Sequence, residues 1–197
     1  MGDRVAVMYS GHLQQVDTPQ VLYDQPVNEF VAGFIGSPSI NLVEAQLAKA
    51  DGGLTVTFGD HTLAVDDLAV RNRSGLADYV GRTVMLGIRP EDFEDTSVDS
   101  DAPPDRRMKV HCDLTEPLGA EVLVYFSTTA TGIVSSAVAA DAGEDAAVHL
   151  GGDDGDGMTR LCARVSPRTR AAEGNEVELA VDTSRLYFFD PQTRDAI

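Results

Sequence analysis

Basic charge is scarce in this sequence. It carries 15 Lys and Arg residues against 32 Asp and Glu, a formal net charge of −17. A surface so acidic repels phosphate backbones, so a nucleic-acid partner is excluded even for a barrel fold that elsewhere binds oligonucleotides. Long apolar runs are missing too. Nothing approaches the roughly 20 consecutive apolar residues of a membrane helix, so no direct membrane insertion is expected. No charged–apolar–small leader pattern opens the chain. Cysteine is scarce, with only Cys112 and Cys162, each inside a strand-like run. Two such residues make no disulfide scaffold and read as buried thiols of a reducing compartment. Neither has a metal-type neighbour at ligand spacing.

What is present is a hydrophobic content of 43% and many short strand-like runs. The first 36 residues stand apart. Arg4–Tyr9 and His12–Val16 alternate around Ser10-Gly11 and predict a β-hairpin with Gly11 at positive φ. His12 falls in this hairpin, facing solvent. Thr18 followed by Pro19 predicts a capped helix over Pro19–Asp24, ended before Pro26. Asn28 caps a second helix. There Val27, Phe30, Val31, Phe34 and Ile35 share one face, and Gly36 suits the C-terminal cap. That apolar face must pack on something a lone hairpin cannot supply. A domain boundary is expected at Gly36-Ser37-Pro38, dividing residues 1–36 from 37–197.

Past Pro38 the pattern is mainly β. Strands are expected over Leu42–Leu47, Leu54–Phe58, His61–Val65, Thr83–Ile88, Met108–Glu116, Glu121–Ser127, Arg160–Val165, Glu176–Val181 and Leu186–Phe189. A weaker one is expected over Ile133–Val138. Val110, Cys112 and Leu114 should share a face. Many short strands with turn signals between them point to a barrel or sandwich. Ser97–Asp105 and the acidic, Gly-rich Asp141–Gly157 read as loops.

Several stretches, in order, resemble the ATPase subunits of maltose-type ABC sugar importers. They are FVAGFIGSPSINLV at Phe30–Val43, LGIRPEDF at Leu86–Phe93, EPLGAEVLVYF at Glu116–Phe126 and ARVSPRTRAAEGNEVELAVDTSRLYFFDPQT at Ala163–Thr193. The opening residues look like the last hairpin and helix of the nucleotide-binding domain. The resemblance weakens only over Asn72–Val80 and Asp141–Gly157. It implies a pair of intertwined OB-like barrels of the TOBE type, preceded by a hairpin-and-helix remnant of the ATPase domain. It also implies a homodimer, permease subunits reached through the ATPase domain, a possible cytoplasmic regulator protein, and a place at the inner face of the bacterial membrane. ATP and magnesium would belong to the full-length parent. This sequence has neither the Gly-rich phosphate loop ending in Gly-Lys-Ser/Thr nor the family's Leu-Ser-Gly-Gly-Gln-type loop, so no ATP hydrolysis, no catalytic residue and no bound cofactor are expected of it.

The candidate contact residues are Arg89, Pro90, Glu91 and Phe93. Pro90 ends a strand, and Arg89 can pair with Glu91 or Asp92. A structural loop and a dimer or regulatory contact are both open. Arg164, Arg168 and Arg170 flank Ser166-Pro167 and suggest a turn whose arginines pair with carboxylates. An oxyanion-sensing barrel is the alternative there. Asp153–Gly157 hints at a calcium module but lacks the distal Glu and flanking helices of an EF-hand. His61, His111 and His149 have no visible nucleophile or orienting partner and read as structural or exposed. Phe188 and Phe189 are expected to divide between the core and a surface or interface.

Overall fold

The structure, a computed structural model, describes residues 2–73, 75–99, 101–137 and 157–197. It opens with the hairpin β1 (Val5–Tyr9) and β2 (His12–Asp17), closed by Ser10 and Gly11, both at positive φ. Helix α1 (Pro19–Asp24) starts where Thr18 Oγ1 accepts from the Val21 amide and Pro19 fills the first turn. In α2 (Glu29–Phe34) Asn28 Oδ1 accepts from the Val31 amide, and Gly36 follows the helix at φ 130°.

Two five-stranded antiparallel sheets come next. The first contains β3 (Asn41–Ala50), β4 (Gly53–Phe58), β5 (His61–Val65), β6 (Thr83–Ile88) and β12 (Tyr187–Phe189), in the order β12-β6-β3-β4-β5. The second contains β7 (Phe93–Asp95), β8 (Arg107–Pro117), β9 (Val122–Thr128), β10 (Thr159–Val165) and β11 (Glu176–Val181), in the order β10-β9-β8-β11-β7. A short helix α3 (Asp67–Arg71), capped by Asp66, links β5 towards β6. The halves interlock. β7 leaves the first half to pair with β11, and β12 returns from the second half to pair with β6. One buried apolar cluster runs through both sheets, from Val43, Val56 and Leu86 to Val124, Phe126 and Leu179. The fold is therefore mainly β and OB-like.

β6 is buried on both faces, which explains its continuous apolar run. Val84, Leu86 and Ile88 face the shared core. Met85 faces the other way, with Ile40, Leu42, Tyr187 and Phe189, and α2 covers this second cluster through Ala32. Phe188 and Phe189 point to opposite sides, one into the core and one under α2, but both are buried, so neither takes the expected surface position. Gly87 lies there as well: a Cβ at that position would sit 2.8 Å from Ile40 Cδ1. The apolar face of α2 thus has a partner, the outer face of β3-β6-β12. Phe30 and Val31 close a further small cluster with Val7, Leu22 and Ala137, while Val27 and Phe34 stay exposed.

Two sequence expectations need correction. The register of β8 against β9 shifts between Cys112 and Leu114, which turns Leu114 out to 42% exposure instead of placing it beside Cys112. Residues 133–137 form no strand: Ile133 donates its amide to Leu42 O, Gly132 makes an isolated bridge with Val43, and the chain then leaves the sheet. Residue 138, His149 and the acidic stretch 141–156, with its suggested calcium site, lie outside the described residues.

Candidate functional site: the joint at Arg89

Arg89 directly follows β6 and is 1% exposed. Its side chain runs under the N-terminal segment, where the ends of both small helices present backbone carbonyls. Nη2 donates to Tyr23 O at 2.7 Å, and Nη1 to Ile35 O at 2.8 Å and Ala32 O at 3.5 Å. Nε donates to the Tyr187 hydroxyl at 3.3 Å, which itself donates to Tyr23 O at 3.1 Å. The guanidinium lies 3.7 Å from the centroid of the Tyr23 ring and 5.0 Å from that of Tyr187. The last carbonyls of a helix carry its negative partial charge and lack intrahelical partners, so a cation suits them. Gly36 is required beside it, because a Cβ there would sit 3.1 Å from Nη1 in a left-handed backbone.

Two ion pairs flank this anchor. Glu29, 1% exposed in the first turn of α2, accepts from Arg194 Nη1 at 2.8 Å and from the amide and hydroxyl of Ser136. The Glu29 amide donates to Arg194 O, and Asn28 bridges Asp195. On the other side, Arg185 Nε meets Asp92 Oδ1 at 2.8 Å while its Nη2 lies 3.8 Å from Asp24 at the end of α1.

Asp92 is almost wholly buried, and among the described residues its Oδ2 has no hydrogen-bond partner. Burial pushes its carboxyl up to about 7, against the pull of Arg185 and with the help of Glu91 and Asp182. The folded chain therefore holds a proton that the unfolded chain has already lost, and stability should fall as pH rises from about 4 to 7. The slope is about 1.4 kcal/mol per pH unit while only the folded state holds the proton. Asp92→Asn should remove that share of the slope, matching the parent near pH 4 and exceeding it near pH 8. Urea unfolding at both pH values checks this; an unchanged slope in the variant contradicts it.

The sequence-based candidates sit as follows. Arg89, Pro90 and Phe93 are buried in the fold and have no surface to offer another chain. Glu91 is part-exposed and takes Arg164 at 3.5 Å. The expected pairing of Arg89 with Glu91 or Asp92 is replaced by carbonyls and aromatic rings, because the side chain just past β6 runs under the helices and not along its own turn. Arg164 also reaches Glu121 at 3.6 Å. The carboxylates near Arg168 and Arg170 take backbone amides instead. Glu94 accepts from Ser166 N, and Asp95 from Arg170 N and the Thr169 hydroxyl. Burial pushes Asp95 up, but those bonds and one from Ser97 hold it below the usual carboxylate range. With the Arg168 and Thr169 amides also spent on Ser166, this turn offers no nest of amides to an oxyanion. Cys112 and Cys162 are free and buried. His12 is exposed, His111 mostly so, and His61 is half-buried against Phe58. Among the described residues no group of His, Cys, Asp or Glu is placed to hold a metal ion, and no helix is long and apolar enough to cross a membrane.

Residues 36–93, which end on this joint, match the protein family described as MalK OB fold domain. The chain is 38% identical over 192 residues to the trehalose import ATP-binding protein SugC of Mycobacterium tuberculosis, covering 96% of this chain and 46% of that protein. It is 36% identical over 200 residues to the trehalose/maltose import ATP-binding protein MalK of Thermococcus litoralis, covering all of this chain and 45% of that protein. The chain belongs to the MalK-type ATP-binding proteins of sugar-import ABC transporters, over their C-terminal part. It spans about half the length of the curated relatives it matches. The diacetylchitobiose uptake protein MsiK of Streptomyces coelicolor is similar at 36% identity, over all of this chain and 46% of its own length. Among solved structures, the cytoplasmic molybdate-binding protein ModG is similar at a TM-score of 0.48 and 11% identity, over 77% of this chain and 96% of that one. Within the MalK-type frame, Arg89 sits inside LGIRPEDF, and the carbonyls it holds belong to the segment just before the OB match.

Proposed function

We propose that this region is the non-catalytic regulatory and dimerisation part of the ATPase subunit of a bacterial sugar importer, which drives carbohydrate uptake. The observation that carries the reading is the joint. Arg89, Glu29–Arg194 and Asp24–Arg185–Asp92 fasten the segment before residue 36 to the β region at three points. A β region held this firmly follows the ATPase part as one body. Two such regions, staying in contact with each other, keep the ATPase halves near one another while they open and close, which raises their effective concentration. A regulator protein on this region would bias one state by its differential affinity for the two. Permease contacts would run through the ATPase part, and the subunit would work at the inner face of the membrane. ATP and magnesium would be held there as well, since no stretch of this chain supplies a phosphate loop.

Self-association is the test. The full chain should sediment as a dimer, or as a monomer–dimer equilibrium, at tens of micromolar. A strict monomer at high micromolar concentration would remove the tether. Deleting Met1–Gly36 is no clean control, because it would uncover Ile40, Leu42, Met85, Tyr187 and Phe189.

A further inference from the structure

A cleft of about 730 Å³ opens beside the joint, between the turn after α1 and the β region. Asp24, Val27, Asn72, Arg73, Ser184 and Arg185 are among the residues that line it. Arg73 is the unusual member. In a protein with 32 acidic residues it makes no ion pair among the described residues. Among the described residues its side chain makes one hydrogen bond, a 3.4 Å contact from Nη1 to Ala69 O. The guanidinium rests over Tyr187 and Phe188, at 5.6 and 6.0 Å from the ring centroids. Partial burial lowers its pKa, and no carboxylate among the described residues pairs with it to offset that. Arg185 on the same side is already engaged by Asp92 and Asp24.

We propose that this cleft binds a small phosphorylated sugar, with the phosphate on Arg73 and the sugar hydroxyls among Asp24, Asn72 and Ser184. A planar guanidinium with unused donors is suited to phosphate, which it can grip through two parallel N–H bonds. The cleft lies in the size range of roughly 300–1,000 Å³ typical of small-molecule sites, too large for a bare phosphate to fill. Its polar walls suit hydroxyls, whereas Tyr187 and Phe188 are too covered to serve as stacking platforms. The net charge of −17 does not oppose this at contact range, because exposed charges are screened beyond about 10 Å. A ligand here would touch both sides of the joint. Control of the importer by such a ligand rests on the function proposed above; occupancy of the cleft does not.

Titration calorimetry on the full chain tests it, with glucose 6-phosphate as probe and glucose and inorganic phosphate as the other arms. A saturable one-to-one isotherm is expected for glucose 6-phosphate, about tenfold or more tighter than for either half alone. Arg73→Gln should weaken it by about tenfold or more, the loss expected for charge-assisted hydrogen bonds. Val27→Trp, at an exposed position in the lining, should block it without replacing Arg73 or a core residue, and carries the test even if Arg73→Gln fails to fold. No isotherm with glucose 6-phosphate up to about 5 mM, a range that would capture even weak ligands, would overturn the proposal. So would equal affinity for glucose, or binding unchanged in Val27→Trp. A chain that binds glucose 6-phosphate yet sediments as a strict monomer would keep the cleft and lose the tether.

Discussion

Arg89→Ala is expected to lower the unfolding free energy of the chain by about 3–5 kcal/mol, the scale for removing one partner from a buried charged network. The variant loses the bonds to Tyr23 O and Ile35 O, the contact with Ala32 O and the stacking on Tyr23. It also leaves a void under α2, and each buried carbonyl left without a donor costs about 1–3 kcal/mol. For a chain of this size the melting temperature should fall by roughly 10 °C. Arg89→Lys should recover only part of that. An ammonium can reach one carbonyl well, but it has no planar fork to span the ends of two helices and no flat face to lay on Tyr23. A melting temperature within about 2 °C of the parent for Arg89→Ala, a shift worth less than 1 kcal/mol here, would mean the arginine fills space and fastens nothing.

The second large effect is expected at the other end of α2. Arg194→Ala should destabilise by about 2–3 kcal/mol, below the full range for a buried pair because Arg194 is itself half-exposed. The harm comes from Glu29, a carboxylate left inside with Ser136 as its one remaining side-chain partner among the described residues. Neutralising it should therefore help: Glu29→Gln in the Arg194→Ala background should recover at least half the loss, although Glu29→Gln alone destabilises. This reversal of sign separates an uncompensated buried charge from lost packing. Additive losses in the double variant would contradict the assignment. Urea unfolding of the parent, both single variants and the double variant supplies the cycle.

The ease with which the sequence yields these elements varies with the range of the forces behind them. The hairpin at Ser10-Gly11 and the caps at Thr18 and Asn28 are local chemistry within four residues, and they stand where the pattern puts them. Most strands follow from alternation, and β6 from its apolar run. Leu114 misled because one bulged residue changes which face follows it. The strand expected over Ile133–Val138 misled because, in its described part, Ile133 gives one amide to Leu42 O and Ala137 packs against α2 without any ladder forming. The joint was only half visible. Gly36 and the apolar face of α2 announced that something must cover it, and Arg89-Pro90 marked the end of a strand. Yet Arg-Pro-Glu-Asp has the composition of a solvated turn, so a side chain 1% exposed is not what it suggests. Glu29 and Arg194 are 165 positions apart, and Asp92 meets Arg185 across the fold. No periodicity carries such pairs. They exist only because β12 returns to the first sheet and brings the chain's last residues beside its first helices.

The central claim is that the segment before residue 36 and the β region open together. Native-state hydrogen exchange on the full chain measures this most directly. Amides that close α1 and α2, such as those of Gln25 and Ile35, should exchange with an opening free energy close to that of β3 and β6 amides. Arg89→Ala should lower protection in α1 and α2 first. If the helix amides of the parent already exchange through a much cheaper opening while β3 and β6 stay protected, the joint is loose and the account is contradicted.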